Sequence, residues 1–205
     1  MHNSPTKRFL FLTIILVIPS VVVRAQGDPH AAETARANAL TKSGNQKMRD
    51  GDFDGAIADF NQVIEIDKIY PANVQSASYM TRGVAFQKKG DLDAALADFN
   101  KAIKLQSDNV FAYQNRAGLY EKRNEVDKAI ADYSKAIKLN SKFPFAYRGR
   151  GLLLLKQGKD AEAEADFTKY LELFPNGKDS LEKQIKEIKE TRDHESEPPA
   201  VVGGP

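Results

Sequence analysis

VFAYQNRAGLYEKRNEVDKAIADYSKAIKLNSKF, residues 110–143, decides the fold, because its pattern returns 34 residues away on either side. Tyr113 is matched by Tyr79 and Tyr147, Ala129 by Ala95 and Ala163, and Tyr133 by Phe99 and Phe167. A less regular copy comes first, with Leu40, Ala56 and Phe60 in the matching places. A fixed period of this length marks a stack of like supersecondary units, each touching its neighbours. Such a stack presents an extended concave surface.

Each column has a physical reason. Gly44, Gly83, Ala117 and Gly151 fall on the first helix of each unit, and Ala56, Ala95, Ala129 and Ala163 on the second. Small side chains at both places let two helix backbones approach closely, and the aromatic residues fill the space around them. Gly51, Gly90, Asn124 and Gly158 mark the turn inside each unit, where a left-handed backbone is useful. Lys68, Ser107, Ser141 and Pro175 close the units.

On these residues the chain resembles the tetratricopeptide repeat (TPR), a helix–turn–helix unit. The resemblance implies an all-α fold: a right-handed α-solenoid of four TPR helix pairs with a C-terminal capping helix. The repeats fill 37–175, as units 37–70, 76–109, 110–143 and 144–177, the last including its closing turn. Departures lie in the outer units. Lys47 stands where the others have Phe86, Tyr120 and Leu154, and Asp160 replaces Phe53, Leu92 and Val126. Tyr170 replaces the small Ala102 and Ala136, and Ile69-Tyr70-Pro71 lengthens the first connection.

The ends are not repeat. Residues 1–25 read as a signal peptide: Lys7 and Arg8, an apolar core from Phe9 to Ile18, a break at Pro19-Ser20, and Val23-Arg24-Ala25 for cleavage before Gln26. The competing reading is an N-terminal membrane anchor. Phe9 to Val23 contains a proline and falls short of the about 20 residues of a stable span. Export to a periplasm or secretion follows, with no stable membrane span after cleavage. Removing Lys7, Arg8 and Arg24 takes the 30 basic residues to 27, against 28 acidic ones. That balance argues against nucleic acid or an anionic membrane surface as partner. Cysteine is absent, so stability rests on packing.

Residues 26–36 form a linker and the start of the first helix. Residues 178–193 are charged but carry Leu181, Ile185 and Ile188 on one helical face, the pattern of a capping helix. The tail 194–205, with Pro198, Pro199 and Gly203-Gly204-Pro205, is expected to be disordered.

No catalytic constellation is legible, and no cofactor or metal is implied. His2, His30 and His194 fall in the chain ends with no chelating spacing, and the glycines are punctuation between helices. Glu162 and Glu164 read as a solvated helix face. The reading is therefore non-enzymatic.

One charged pattern follows the period. Arg82, Arg116 and Arg150 stand 34 apart on first helices, and Asp59, Asp98, Asp132 and Asp166 share a column on second helices. A structural ladder is expected, because aspartates accompany the arginines in register. The preferred pairing crosses repeats, Asp98 with Arg116; pairing within repeats is the alternative and leaves Asp59 over. Lys101, Lys104, Lys135 and Lys138 fall on the second helices and read as solvated charge.

In the resembled family the first helices line a concave groove. Helical register places Asn38, Thr41 and Asn45 there in the first unit, and Ala77, Met80, Val84 and Gln87 in the second. The third offers Phe111, Gln114, Gly118 and Glu121, the fourth Phe145, Arg148, Leu152 and Leu155. Some family members hold a chaperone C-terminal carboxylate in a basic, Asn-containing clamp. Here Asn45 and Asn115 fall in the wrong combination, and Met80, Phe111 and Phe145 replace the polar residues required. The implied function is binding of an unidentified peptide or protein segment in the groove. The alternative is a structural part of an envelope assembly, docked through its convex face or ends.

Overall fold

A computed structural model describes residues 30–196. The expected signal peptide, residues 1–25, and the expected disorder of 197–205 lie outside the described residues. The described residues form α1 (Ala31–Asp50), α2 (Phe53–Asp67), α3 (Ala72–Lys89), α4 (Leu92–Leu105) and α5 (Val110–Lys122). They continue with α6 (Val126–Leu139), α7 (Pro144–Lys156), α8 (Asp160–Leu173), a 3-10 turn at Pro175–Gly177, and α9 (Lys178–Ser196). The result is an all-α right-handed solenoid of four helix pairs and a capping helix, with α1, α3, α5 and α7 as the first helices.

Local chemistry sets the helix ends. Asp52 and Asp91 cap α2 and α4 by accepting from the backbone N–H of Gly55 and Ala94, at 2.9 and 3.0 Å. Asn109 caps α5 in the same way, and its side-chain amide donates to Ser76 Oγ at 3.0 Å. Ser76, fully buried, donates on to the Ala102 carbonyl at 2.9 Å. That chain satisfies a buried hydroxyl and ties α3, α4 and α5 together. At the turns within the pairs, Gly51, Gly90 and Gly158 have φ of 82°, 95° and 75°, and Asn124 has 57°. Asparagine is among the few other residues that enter this region at modest cost.

The small-residue column sets the approach of each pair. A Cβ on Gly44, Gly83 or Gly151 would lie 2.7, 2.8 or 2.6 Å from the ring of Phe60, Phe99 or Phe167. The third pair solves the same problem differently. Ala117 stands in the glycine column, and the Tyr133 ring packs over Gly149 of the next pair, where a Cβ would come within 2.4 Å of Cζ. Tyr133 thus leans toward α7, and its hydroxyl lies 4.0 Å from the Cβ position of Gly118.

The arginine–aspartate ladder corrects the cross-repeat pairing. Arg82 donates from Nε and Nη2 to both oxygens of Asp98, at 2.8 and 2.7 Å, within its own pair. Arg116 grips Asp132 and Arg150 grips Asp166 in the same way. The link between repeats comes from the third nitrogen: Nη1 donates to Asn61, Asn100 and Ser134 of the preceding second helices, at 2.7, 2.6 and 3.0 Å. Asp59 is not left over. Lys47, the residue that breaks the apolar column, brings Nζ to 2.8 Å from Asp59 Oδ2. Burial alone raises the Asp59 pKa, but the Lys47 ammonium and the Ser43 hydroxyl outweigh it and hold the carboxyl below its usual range.

The last pair is closed by α9. Leu181 is 1% exposed, in a core with Tyr147, Leu154, Leu155, Phe167 and Tyr170, against which Ile185 and Ile188 also pack. Arg192 bonds Asp160 at 2.6 Å and the Leu155 carbonyl at 3.2 Å. Asp160, which replaces an apolar residue of the repeat, therefore anchors the cap. Helix α9 includes residues 194–196, beyond the end at 193 expected from sequence.

Candidate functional site

The first-helix residues separate by depth. Asn38 is exposed, while Thr41, Ala77, Val84 and Gln87 are half-buried. So are Phe111, Gln114, Gly118, Glu121, Phe145, Arg148 and Leu152. Asn45, Met80 and Leu155 are only 7%, 8% and 2% exposed. These three are packed between helices. Helical spacing gives a residue's direction around its own axis. It does not say how far the neighbouring helix leans over it. Asn115 donates to the Phe111 carbonyl at 2.9 Å, a bond within its own helix.

Five of the expected residues meet in one place. Gln114 and Glu121 of α5 and Phe145, Arg148 and Leu152 of α7 border a cleft of about 380 Å³. Its far wall is α9, through Gln184, Glu187 and Ile188, with Tyr133 and Lys156 completing it. Asn38, Thr41, Val84 and Gln87 are not part of it. The α9 contribution was missed because a cap reads as a cover. Its apolar face already lines Ile188 up four residues after Gln184, which was the available signal.

Tyr133 holds one of the polar groups of the cleft in place. The phenol crosses the space left by Gly149 and donates to Glu121 Oε1. Burial, reinforced by the Glu121 charge and this bond, pushes its pKa well up, so the phenol stays neutral. A phenylalanine, as in the neighbouring pairs, would leave that carboxylate unheld.

Arg148 lies beside it, with its guanidinium over the rings of Phe145 and Tyr170 at 5.7 and 6.0 Å. Its Nε is buried without a hydrogen-bond partner, and so is Oε1 of Gln184 across the cleft. Along one rim, Phe111, Phe143, Phe145 and Phe174 form a row of ring contacts with centroids 5.5, 6.2 and 5.6 Å apart. Phe174, at its end, is 37% exposed.

Such a surface can hold an extended chain: aromatic and aliphatic contacts beside a few polar groups. Among the described residues no His, Cys, Asp or Glu cluster is placed to hold a metal. No described helix is long and apolar enough to cross a membrane.

Comparison with known proteins gives a consistent result. Tetratricopeptide-repeat profiles match residues 76–109 and 144–176, and a TPR-repeat profile matches 119–158. No curated protein matches the sequence. Among solved structures, MamA is 27% identical over 73% of this chain and 85% of its own, with a TM-score of 0.60. PilF of Pseudomonas aeruginosa is 19% identical over 80% of this chain and 72% of its own, with a TM-score of 0.66, a likeness of fold. The first TPR of Spaghetti (RPAP3), solved bound to the HSP90 peptide SRMEEVD, is 25% identical. That match covers 61% of this chain and 98% of the other, with a TM-score of 0.55.

Proposed function

The chain belongs to the tetratricopeptide-repeat family, and from that premise we propose that it is an exported, non-catalytic module that binds a protein segment on its concave face. The observation that carries this reading is the convergence of Phe145, Leu152 and Arg148 on one cleft with Ile188 of the cap. Half-buried apolar side chains beside polar atoms that lack partners suit a chain that brings its own side chains and backbone groups. The RPAP3 domain, solved with a peptide bound, supports peptide binding by this architecture. The residues of a chaperone-tail clamp are not matched, so the partner is of another kind.

Two experiments test the two halves of the proposal. Affinity capture from an envelope extract with the protein lacking residues 1–25 should recover a partner. Leu152→Asp, in the cleft, should abolish that capture, and Lys101→Glu, on the exposed face of α4, should not. The reverse pattern would move binding to the convex face. Export is tested by N-terminal sequencing of the mature protein, which should begin at Gln26. An intact N-terminus in the membrane fraction would replace the signal peptide with an anchor.

A further inference from the structure

The arginines of α3, α5 and α7 divide into two kinds. Arg82, Arg116 and Arg150 each hold a carboxylate with two nitrogens and a neighbouring repeat with a third. Arg148 forms no ion pair among the described residues, and its Nε is buried without an acceptor. A guanidinium has five donors and no means of becoming neutral, so a buried Nε without an acceptor is unfavourable. Neither nearby carboxylate lies within ion-pair distance of it. Glu121 accepts from Tyr133, whose ring is fixed over Gly149. Glu187 lies 3.8 Å from Lys183 on its own helix.

We propose that this cleft receives a single acidic side chain of a bound extended segment, with Arg148 as its counter-charge and an adjoining apolar residue against Leu152 and Ile188. The inference rests on groove binding as proposed above and names the chemistry of the segment. Stacking on Phe145 and Tyr170 fixes the plane of the guanidinium and leaves its N–H edge for a carboxylate. Gln184 Oε1, buried and unpartnered, suits a backbone N–H of the same segment. Glu121 and Glu187 flank the position and Lys156 lies on the same border, so the cleft is close to charge-balanced and suits one added carboxylate rather than a run of them.

The test uses the full mature protein and fluorescent heptapeptide pools, amidated at the C-terminus, with Leu-Glu-Leu or Leu-Gln-Leu fixed at the centre. The Glu pool should bind about tenfold tighter or more, the scale of a hydrogen bond to a charged group. Arg148→Gln should erase that preference and Arg148→Lys should keep part of it, with unfolding midpoints showing that both variants fold. A Glu preference that survives in Arg148→Gln overturns the assignment, as does equal binding of the two pools. A Gln pool with a free C-terminus that outbinds the amidated Glu pool also overturns it, because a chain terminus is then the ligand. In these three cases groove binding itself stands. Failure of every pool to bind overturns both the inference and the groove reading.

Discussion

Arg116 and Asp132 are joined by two parallel hydrogen bonds, Nε to Oδ2 at 2.7 Å and Nη2 to Oδ1 at 2.8 Å, across the two helices of the third pair. The arginine's remaining contact, Nη1 to Asn100 at 2.6 Å, crosses to the second pair. One side chain thus clamps its own repeat and stitches it to the one before. Asp132 is nearly buried and Arg116 about one-fifth exposed, so the pair lies between the surface and buried limits. Each of Arg116→Ala and Asp132→Ala should destabilise the fold by about 1–3 kcal/mol. In urea melts the double variant should cost less than the sum, with a coupling of about 1 kcal/mol or more. Arg116→Ala with Asp98→Ala should be closer to additive, because Asp98 belongs to Arg82.

Two glycines on first helices should respond in opposite directions. Gly83→Ala places a methyl 2.8 Å from the Phe99 ring and 3.1 Å from Asp98 Cβ, and should cost about 1–3 kcal/mol through overpacking. Gly118 is helical with its nearest neighbour 4.0 Å away, so Gly118→Ala should stabilise by about 0.4–1 kcal/mol. Thermal unfolding of the two variants reads both signs.

Tyr133→Phe keeps the ring over Gly149 and removes the hydrogen bond to Glu121. A loss of about 1 kcal/mol is expected. The folded pKa of Tyr133 is raised, so its contribution is present below the ordinary tyrosine value and is lost as pH rises through the higher folded value. Absorbance titration should show a phenol ionising after the others, and this component should vanish in Tyr133→Phe.

Asp67 ends α2, buried at 4% exposure, and accepts from Ser78 Oγ. Burial raises its pKa, and the Ser78 bond offsets this only in part. A raised carboxyl adds stability below its unfolded pKa and loses it as pH rises through the folded one. Its charge also faces the negative end of the helix dipole. Asp67→Asn keeps an acceptor for Ser78 without the charge. It should raise the unfolding midpoint at neutral pH, and the gain should shrink toward zero in acid. A gain independent of pH would show that ionisation is not the cause.

The cap separates support from lining. Leu181→Ala, at 1% exposure, should cost about 2–5 kcal/mol. Ile188→Ala, half-buried and bordering the cleft, should cost clearly less and lower segment affinity instead. Calorimetry and a binding titration on the same two variants distinguish the effects.

The repeat unit was legible from sequence because its determinants are local. A glycine opposite an aromatic ring, an asparagine or glycine at a left-handed turn, and an aspartate at a helix start act over one or two turns of chain. They recur every 34 residues, which fixed the helices and their order. The ladder shows where this reasoning ends. Composition and period place three arginines and four aspartates in register, but both pairings satisfy that register. The reach of a guanidinium between packed helices decided for the partner within each pair, and Lys47 took the remaining aspartate. The cleft lies further still from the sequence. It needs Tyr133 to lean over Gly149, a consequence of Ala117 occupying the glycine column, and it needs α9 to lie beside α7. Those are relations between repeats, set by side-chain volume and helix approach in three dimensions. Periodicity, which describes what the repeats share, is silent on the places where they differ.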